Sequence, residues 1–203
     1  MGWLSFVVLL WGCSSDTPSD SAVDTDTNIE TDTGAEEAPR EVWSDEALGL
    51  TDITTDLHDD IGAIVYVTWQ QDAAMAGVAV EFSVDDGEWR STPAQDTEAG
   101  EVSFMLLGIP YATTFSYRIR TGEQASATHE ADSGSLPDGM PLPELLGADE
   151  AQWVADDRYL ITSVNGNTGG WTGGYYWRVI IDRQARVVWA QLTPDNHWSI
   201  FAR

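Results

Sequence analysis

The chain is poor in cysteine, in basic residues and in apolar length, and each shortage removes a class of function. Cys13 is the single cysteine among 203 residues, which excludes an internal disulfide in the mature chain and any site built from several thiolates. An oxidising compartment permits disulfides without requiring them. Stability therefore rests on the hydrophobic core; of ten tryptophans, the eight beyond Trp3 and Trp11 of the N-terminal apolar run are a large aromatic payload for it. Nine Lys and Arg stand against 34 Asp and Glu, a formal charge of -25. Nucleic-acid binding needs a basic footprint, and this chain presents the opposite, a soluble and self-repelling acidic surface. The apolar run GWLSFVVLLWG, Gly2 to Gly12, is far shorter than the roughly 20 residues of a spanning helix. No His-Glu-x-x-His, nucleophile elbow, paired-cysteine site or nucleotide fingerprint occurs. Nothing supplies the nucleophile-and-base pair of an enzyme site. No cofactor and no metal is expected.

What is present begins at Cys13. It closes the apolar run and opens a tract of Ser, Asp, Thr and Glu. The run has the length of a signal-peptide h-region, about 7–15 residues, although no Lys or Arg precedes it. Gly12 offers the small residue that a cleavage pocket accepts, while Trp11 is bulky for its place. A run ending Leu10-Trp11-Gly12-Cys13 resembles a bacterial lipoprotein signal. That resemblance implies that the Cys13 thiol is acylated, that membrane lipid is its partner and that the protein is lipid-anchored in the bacterial cell envelope. The alternatives are a cleaved secretory signal without lipid, or a fragment of buried helix with a free thiol. Polar Ser14 to Asp20 weigh against the last.

Ser14 to Glu46 carries 11 carboxylates against Arg40 alone. The low-complexity stretch DTDTNIETDTG has little to bury and repels itself, so an extended, disordered tether is expected. Its Asp-x-Asp-x-Glu spacing lacks the central Gly and terminal bidentate Glu of a formed calcium loop. About 155 residues follow, enough for one good core or two small ones.

From about Thr51 to Asp132 the apolar period is two. Strands are expected at Ile53–Leu57, Ile61–Trp69, Gly77–Val84, the EWRST segment, Gly100–Gly108, Tyr111–Arg120 and Gln124–His129. Asp85-Asp86-Gly87 is a turn signal. Seven short half-apolar strands bury their inner faces by stacking two sheets, and the expected fold class is all-β, a small antiparallel sandwich. Val67-Thr68-Trp69, and Leu107 to Tyr111 followed by Thr114-Phe115-Ser116-Tyr117, resemble the second strand and the turn into the sixth strand of fibronectin type III-like domains. That likeness covers about 80 residues and speaks to fold, not to function. Another small sandwich topology is the alternative.

The stretch DSGSLPDGMPLPELLG, Asp132 to Gly147, reads as a Pro/Gly linker. Beyond it, strands are expected near Arg158–Val164, Tyr175–Asp182 and Arg186–Gln191. The Gly-rich loop Asn165–Gly174 joins the first two, and the turn Arg183-Gln184-Ala185, which lacks the favoured glycine, joins the last two. Three strands with open edges read as one blade of a β-propeller, which needs neighbours to cover it. The unit therefore reads as the start of a larger assembly. The expected organisation is a signal at 1–12, an acidic tether at 13–46, a fibronectin type III-like sandwich at 47–132, a linker at 133–147 and a first propeller blade at 148–203.

Few side chains invite a role. His197 has the chemistry of an acid-base or anion-binding group at a propeller channel, or is a strand-end residue with a local hydrogen bond. Trp171, at the tip of the Gly-rich loop, has a ring suited to stacking on an aromatic or sugar ligand or to packing on a neighbouring blade. The loop itself is no phosphate cradle, since it lacks Gly-Lys-Ser/Thr and a following helix. His58 in the Leu57-His58-Asp59-Asp60 turn is poor evidence for a metal site. His129 falls on an expected edge strand. Arg158, Arg178, Arg183 and Arg186 concentrate in the last unit, either attracting an anion or serving as strand and turn charges.

The order of parts, together with YLITS and WRVIIDRQARVVWAQL, resembles the N-terminal part of bacterial arylsulfotransferase-like proteins. Val179 to Trp189 matches their opening-blade phrase, with Ala185 where that phrase has glycine. The resemblance implies sulfuryl transfer between phenolic sulfate esters and phenols in the complete protein, through a histidine in later blades. Those catalytic His and Arg residues match no position here, so none is assigned, and the chain is expected to be inactive alone. Two further readings stand beside it: a cell-surface binding or adhesion lipoprotein with no enzymatic activity, and a structural envelope protein.

Overall fold

The computed structural model describes residues 41–149, 158–165 and 176–193. The protein is all-β, and the described residues form three sheets, none closed. Its strands are β1 (Glu41–Val42), β2 (Leu50–Leu57), β3 (Val65–Gln71), β4 (Met75–Val84), β5 (Arg90–Ser91), β6 (Gln95–Thr97), β7 (Gly100–Leu106), β8 (Thr114–Thr121), β9 (Gln124–Ala125), β10 (His129–Asp132), β11 (Tyr159–Asn165), β12 (Tyr176–Asp182) and β13 (Val187–Leu192). The first sheet runs β1-β9-β8-β4-β5, with β10 also on β8 and β6 also on β4. The second is β2-β3-β7 and the third β11-β12-β13.

Alternation decides which faces meet. Val65, Val67 and Trp69 of β3, and Val102, Phe104 and Leu106 of β7, turn to one side. They share a core with Val78, Val80, Phe82 and Val84 of β4 and with Phe115, Tyr117 and Ile119 of β8. The first two sheets thus bury their apolar faces against each other, at about 1.5–3 kcal/mol for each large side chain removed from water. β4 is buried on its other face too. Glu81 there is held by Arg118 Nε at 2.8 Å and Arg120 Nε at 3.5 Å. The Arg118 guanidinium lies 4.3 Å from the Trp89 ring centroid, and burial lowers its pKa. The Asp85-Asp86 turn forms with both residues left-handed, at φ 53° and 55°, closed by Gly87 N–H donating to Val84 O. Aspartate tolerates this conformation better than most residues.

Several boundaries differ from those expected. Glu41 to Glu46, assigned to the tether by composition, belong to the folded body. Here β1 pairs parallel to β9, and Trp43 packs on the core. Asp45 accepts the Ala127 N–H and faces His129 Nε2 at 3.2 Å. The strand expected from Ile61 begins at Val65, because Ile61 to Ile64 form a turn. That turn sends Ile61 and Ala63 to a second core. Tyr111 likewise leaves its expected strand for that core, and β8 begins at Thr114. The last strand of the body is broken into β9 and β10 at Ser126, whose hydroxyl accepts the Ile119 N–H.

The linker is a half-truth of composition. Ser133 to Met140 is packed: Ser133 Oγ donates to Pro110 O at 2.6 Å, and Leu136 and Met140 enter the second core. Only from Pro141 onward do its apolar side chains, Leu142, Leu145 and Leu146, lie exposed.

The second core is the seam. Trp177, Val179 and Ile181 of β12, with Val187 and Ala190 of β13, meet Ala63, Tyr111 and Met140. Tyr111 N–H donates to Val187 O at 3.0 Å. The third sheet is therefore docked on one end of the two-sheet body. Its hairpin is built as the Asp-Arg-Gln-Ala-Arg segment suggests. Asp182 Oδ1 accepts the N–H groups of Gln184 and Arg186 at 3.0 and 2.9 Å. Ala185 carries φ 60°, a conformation that costs a non-glycine residue about 1–2 kcal/mol. Ala185→Gly is expected to raise stability by about 0.5–1 kcal/mol in urea unfolding, the lost methyl packing offsetting the rest. An unchanged or lower midpoint would contradict strain at this turn.

Candidate functional site: the cleft at the seam

Where β4, β5 and the third sheet converge, a cleft of about 570 Å³ opens between Asp85 and Glu88 on one side and Arg158, Asp182 and Arg186 on the other. It adjoins a hollow of about 460 Å³ lined by Trp89, Met105 and Leu107, and Arg90, Arg158 and Tyr159 line both. Such volumes fall in the range of small-molecule sites, about 300–1,000 Å³.

Charge pairing divides the arginines of this cleft into two kinds. Arg158 reaches Glu88 at 3.1 Å, an exposed pair, worth about 0–1 kcal/mol. Arg186 Nε reaches Asp182 at 2.7 Å, and its Nη1 pairs with Asp85. Burial alone would lower the Arg186 pKa, but these two carboxylates outweigh it and raise it. Both arginines thus act as clasps across the seam or within its turn. Of the four arginines of that expected cluster, Arg158 and Arg186 are paired with carboxylates of the same chain.

Arg90 is different. Its Nη1 donates to Gly108 O at 3.0 Å and to the Tyr159 hydroxyl at 2.8 Å, and its guanidinium stacks 4.8 Å from the Phe82 ring centroid. No carboxylate among the described residues pairs with it. Tyr159 reaches it only because Gly108, at φ 85°, has no side chain: a Cβ there would run into the Tyr159 hydroxyl. Neutral partners hold this cation in place.

Cys13, Trp171 and His197 lie outside the described residues. His58 sits in its turn, with Nδ1 accepting the Asp60 N–H at 3.1 Å and its ring beside Tyr66. His129 is on β10 at the sheet edge, stacked on Tyr117 and facing Asp45. Arg178 is exposed on β12, and Arg183 lines the cleft. Among the described residues no three His, Cys, Asp or Glu side chains gather as a metal site. No helix among them is long and apolar enough to cross a membrane. Comparison of the chain with protein-family models, curated proteins and solved structures finds no match.

Arg90 and Tyr159 carried no sequence signal. The first sits in a two-residue strand, and the second reaches it from 69 positions away.

The seam also holds an ionisable group. Burial raises the Tyr111 pKa above its ordinary 10.0, while the backbone of Ala190 and Ala63 pulls it down less. Tyr117 is raised by burial and by the Asp45 charge. A folded pKa above the unfolded one means a contribution complete below about pH 10 and lost as pH rises through the folded value. Unfolding free energy is expected to fall above pH 10, and Tyr111→Phe to reduce that fall. An identical alkaline loss in the variant would contradict the assignment.

Proposed function

We propose that this protein is a lipid-anchored protein of the bacterial cell envelope. In this reading a fibronectin type III-like sandwich serves as the non-catalytic base for a propeller-type sheet, as the likeness to arylsulfotransferase-like proteins implies. The single observation that carries the base-and-sheet part of this reading is the seam: the third sheet shares a core with the end of the two-sheet body and is hydrogen-bonded to it. A base that fixes the orientation of a following β unit needs such a junction, and a flexible linker would not provide it. Two details support the finer parts. The facing sheets β2-β3-β7 and β10-β8-β4-β5, with β6 also on β4, are consistent with the sandwich architecture that this likeness implies. In the phrase Val179 to Trp189, Asp182 stands where it closes the turn with its own carboxylate.

Cys13 would carry the acyl chains, and the acidic tether would hold the body away from the bilayer. Phenolic sulfate esters enter as substrate only for a protein carrying the family's catalytic His and Arg, and none is assigned in this chain. Cells expressing the full chain are expected to incorporate a palmitate analogue into it, and the Cys13→Ala chain is expected to take none. Equal labelling of the variant would refute lipidation at this residue. The second reading, a cell-surface binding lipoprotein without enzymatic activity, is favoured by one observation: Arg90, immobilised in an open cleft and unpaired with any carboxylate among the described residues.

A further inference from the structure

We propose that the hollow beside Arg90 binds a small organic carboxylate with an apolar body. This inference deepens the second, binding reading and needs neither the lipid anchor nor the family likeness, since it uses only the cleft.

All nine cations of the chain are arginines, against 34 carboxylates. Arg118, Arg120, Arg158 and Arg186 each meet a carboxylate, whereas Arg90 has none among the described residues. Arg90 is also pre-organised. Both hydrogens of Nη1 are used, one on Gly108 O and one on the Tyr159 hydroxyl. Phe82 supports the guanidinium plane. Nε and Nη2 form the remaining edge of the fork, and no described protein group accepts from them. That edge matches the two oxygens of a carboxylate, the bidentate geometry in which arginine binds most strongly. Because neutral partners already hold the side chain, little rotamer entropy remains to be lost on binding.

The surroundings set the rest of the ligand. Trp89, Met105 and Leu107 are exposed hydrophobic side chains, and all three line the hollow. They offer an apolar wall beside the cation, suited to a ring or a short hydrocarbon body. Arg118 lies over the Trp89 ring. Arg158 borders the same hollow, and its exposed pair with Glu88 is weak enough to yield to a ligand anion. The charge of -25 repels anions at long range, but that field is screened beyond about 10 Å at 0.1 M salt. Short-range pairing decides occupancy.

The test uses the full chain and two probes of equal shape, naphthylacetate and its neutral counterpart naphthylacetamide, followed by titration calorimetry. Naphthylacetate is expected to bind at least about tenfold more tightly than the amide. Arg90→Gln should abolish that preference, whereas Arg178→Gln, which alters an exposed arginine of the third sheet, should keep it. If Arg90→Gln does not fold, the wild-type comparison still decides, together with a shift of the Trp89 indole N–H resonance on adding naphthylacetate. Absence of binding, equal affinity for both probes, or a preference that survives in folded Arg90→Gln would each overturn the proposal.

Discussion

Gly134→Val is expected to open the seam and to lower stability by about 3 kcal/mol or more. A Cβ on Gly134 would lie 2.7 Å from Gly62 Cα and 3.0 Å from Gly62 O, and one on Gly62 would lie 2.9 Å from Gly134 Cα. These are backbone atoms, so no rotamer change relieves the clash. The same approach carries two hydrogen bonds. Gly134 N–H donates to Gly62 O at 2.7 Å, and Gly134 O accepts from Ala112 N–H at 2.8 Å. Separating the strands to admit a side chain breaks both and pulls Ser133, Leu136 and Met140 off the junction. At about 3–4 °C per kcal/mol for a body of this size, the melting midpoint should drop by roughly 10 °C. Limited proteolysis should begin to cut between Gly134 and Met140, where the wild type is protected. A variant with wild-type melting and no new cleavage would show that the two glycines are not a contact the fold depends on.

Trp69→Ala is expected to cost about 3–5 kcal/mol and to leave the protein largely unfolded at ambient temperature if its stability is ordinary. Trp69 is the largest fully buried side chain and stacks on Phe104 at 5.4 Å between ring centroids. Its loss also removes one of two hydrogen bonds to Gln71 Oε1, leaving only the Thr97 hydroxyl at 3.3 Å. Trp69 Nε1 donates to Gln71 Oε1 at 3.1 Å, while Gln71 Nε2 donates to the carbonyls of Ala73 and Glu98 at 2.9 and 2.8 Å. Gln71 is buried and ties β3 to the β6–β7 connection. Trp69→Phe keeps much of the packing but not the donor, so it should lose less than the alanine. Urea unfolding of both variants checks the order. Equal losses would mean that the cavity and the indole donor count for little beside some other change.

The fold of the two-sheet body was largely legible. β3, β4, β7 and β8 alternate strictly on one face, and their inner residues are the ones found in the first core. The hairpin β12–β13 was equally clear, because Asp182 and the flanking apolar runs are local signals. The second core was not. Ile61, Ala63 and Tyr111 continue the period-two pattern of their strands, and nothing in that pattern tells which partner an apolar residue will meet. Composition misled at both ends of the body. Glu41 to Glu46 are acidic enough for a tether, yet their backbone pairs with β9. Asp132 to Gly147 has the prolines and glycines of a linker, yet Gly134 lies against Gly62, in the turn before β3, in a contact too close for any Cβ.

Charge pairing was the least legible level. The acidic excess and the arginine cluster could be counted, but the partners could not be paired. Arg158 meets Glu88 across 70 positions and Arg186 meets Asp85 across 101. By itself the sequence determined the strand class, the inner face of each strong strand and the turns at Asp85 and Asp182, since all of these follow from neighbours along the chain. Only the tertiary structure decided that the third sheet docks on the body, which arginines serve as clasps, and that Arg90 meets no carboxylate among the described residues. Those outcomes depend on distances between residues far apart in sequence, and no local pattern encodes such a distance.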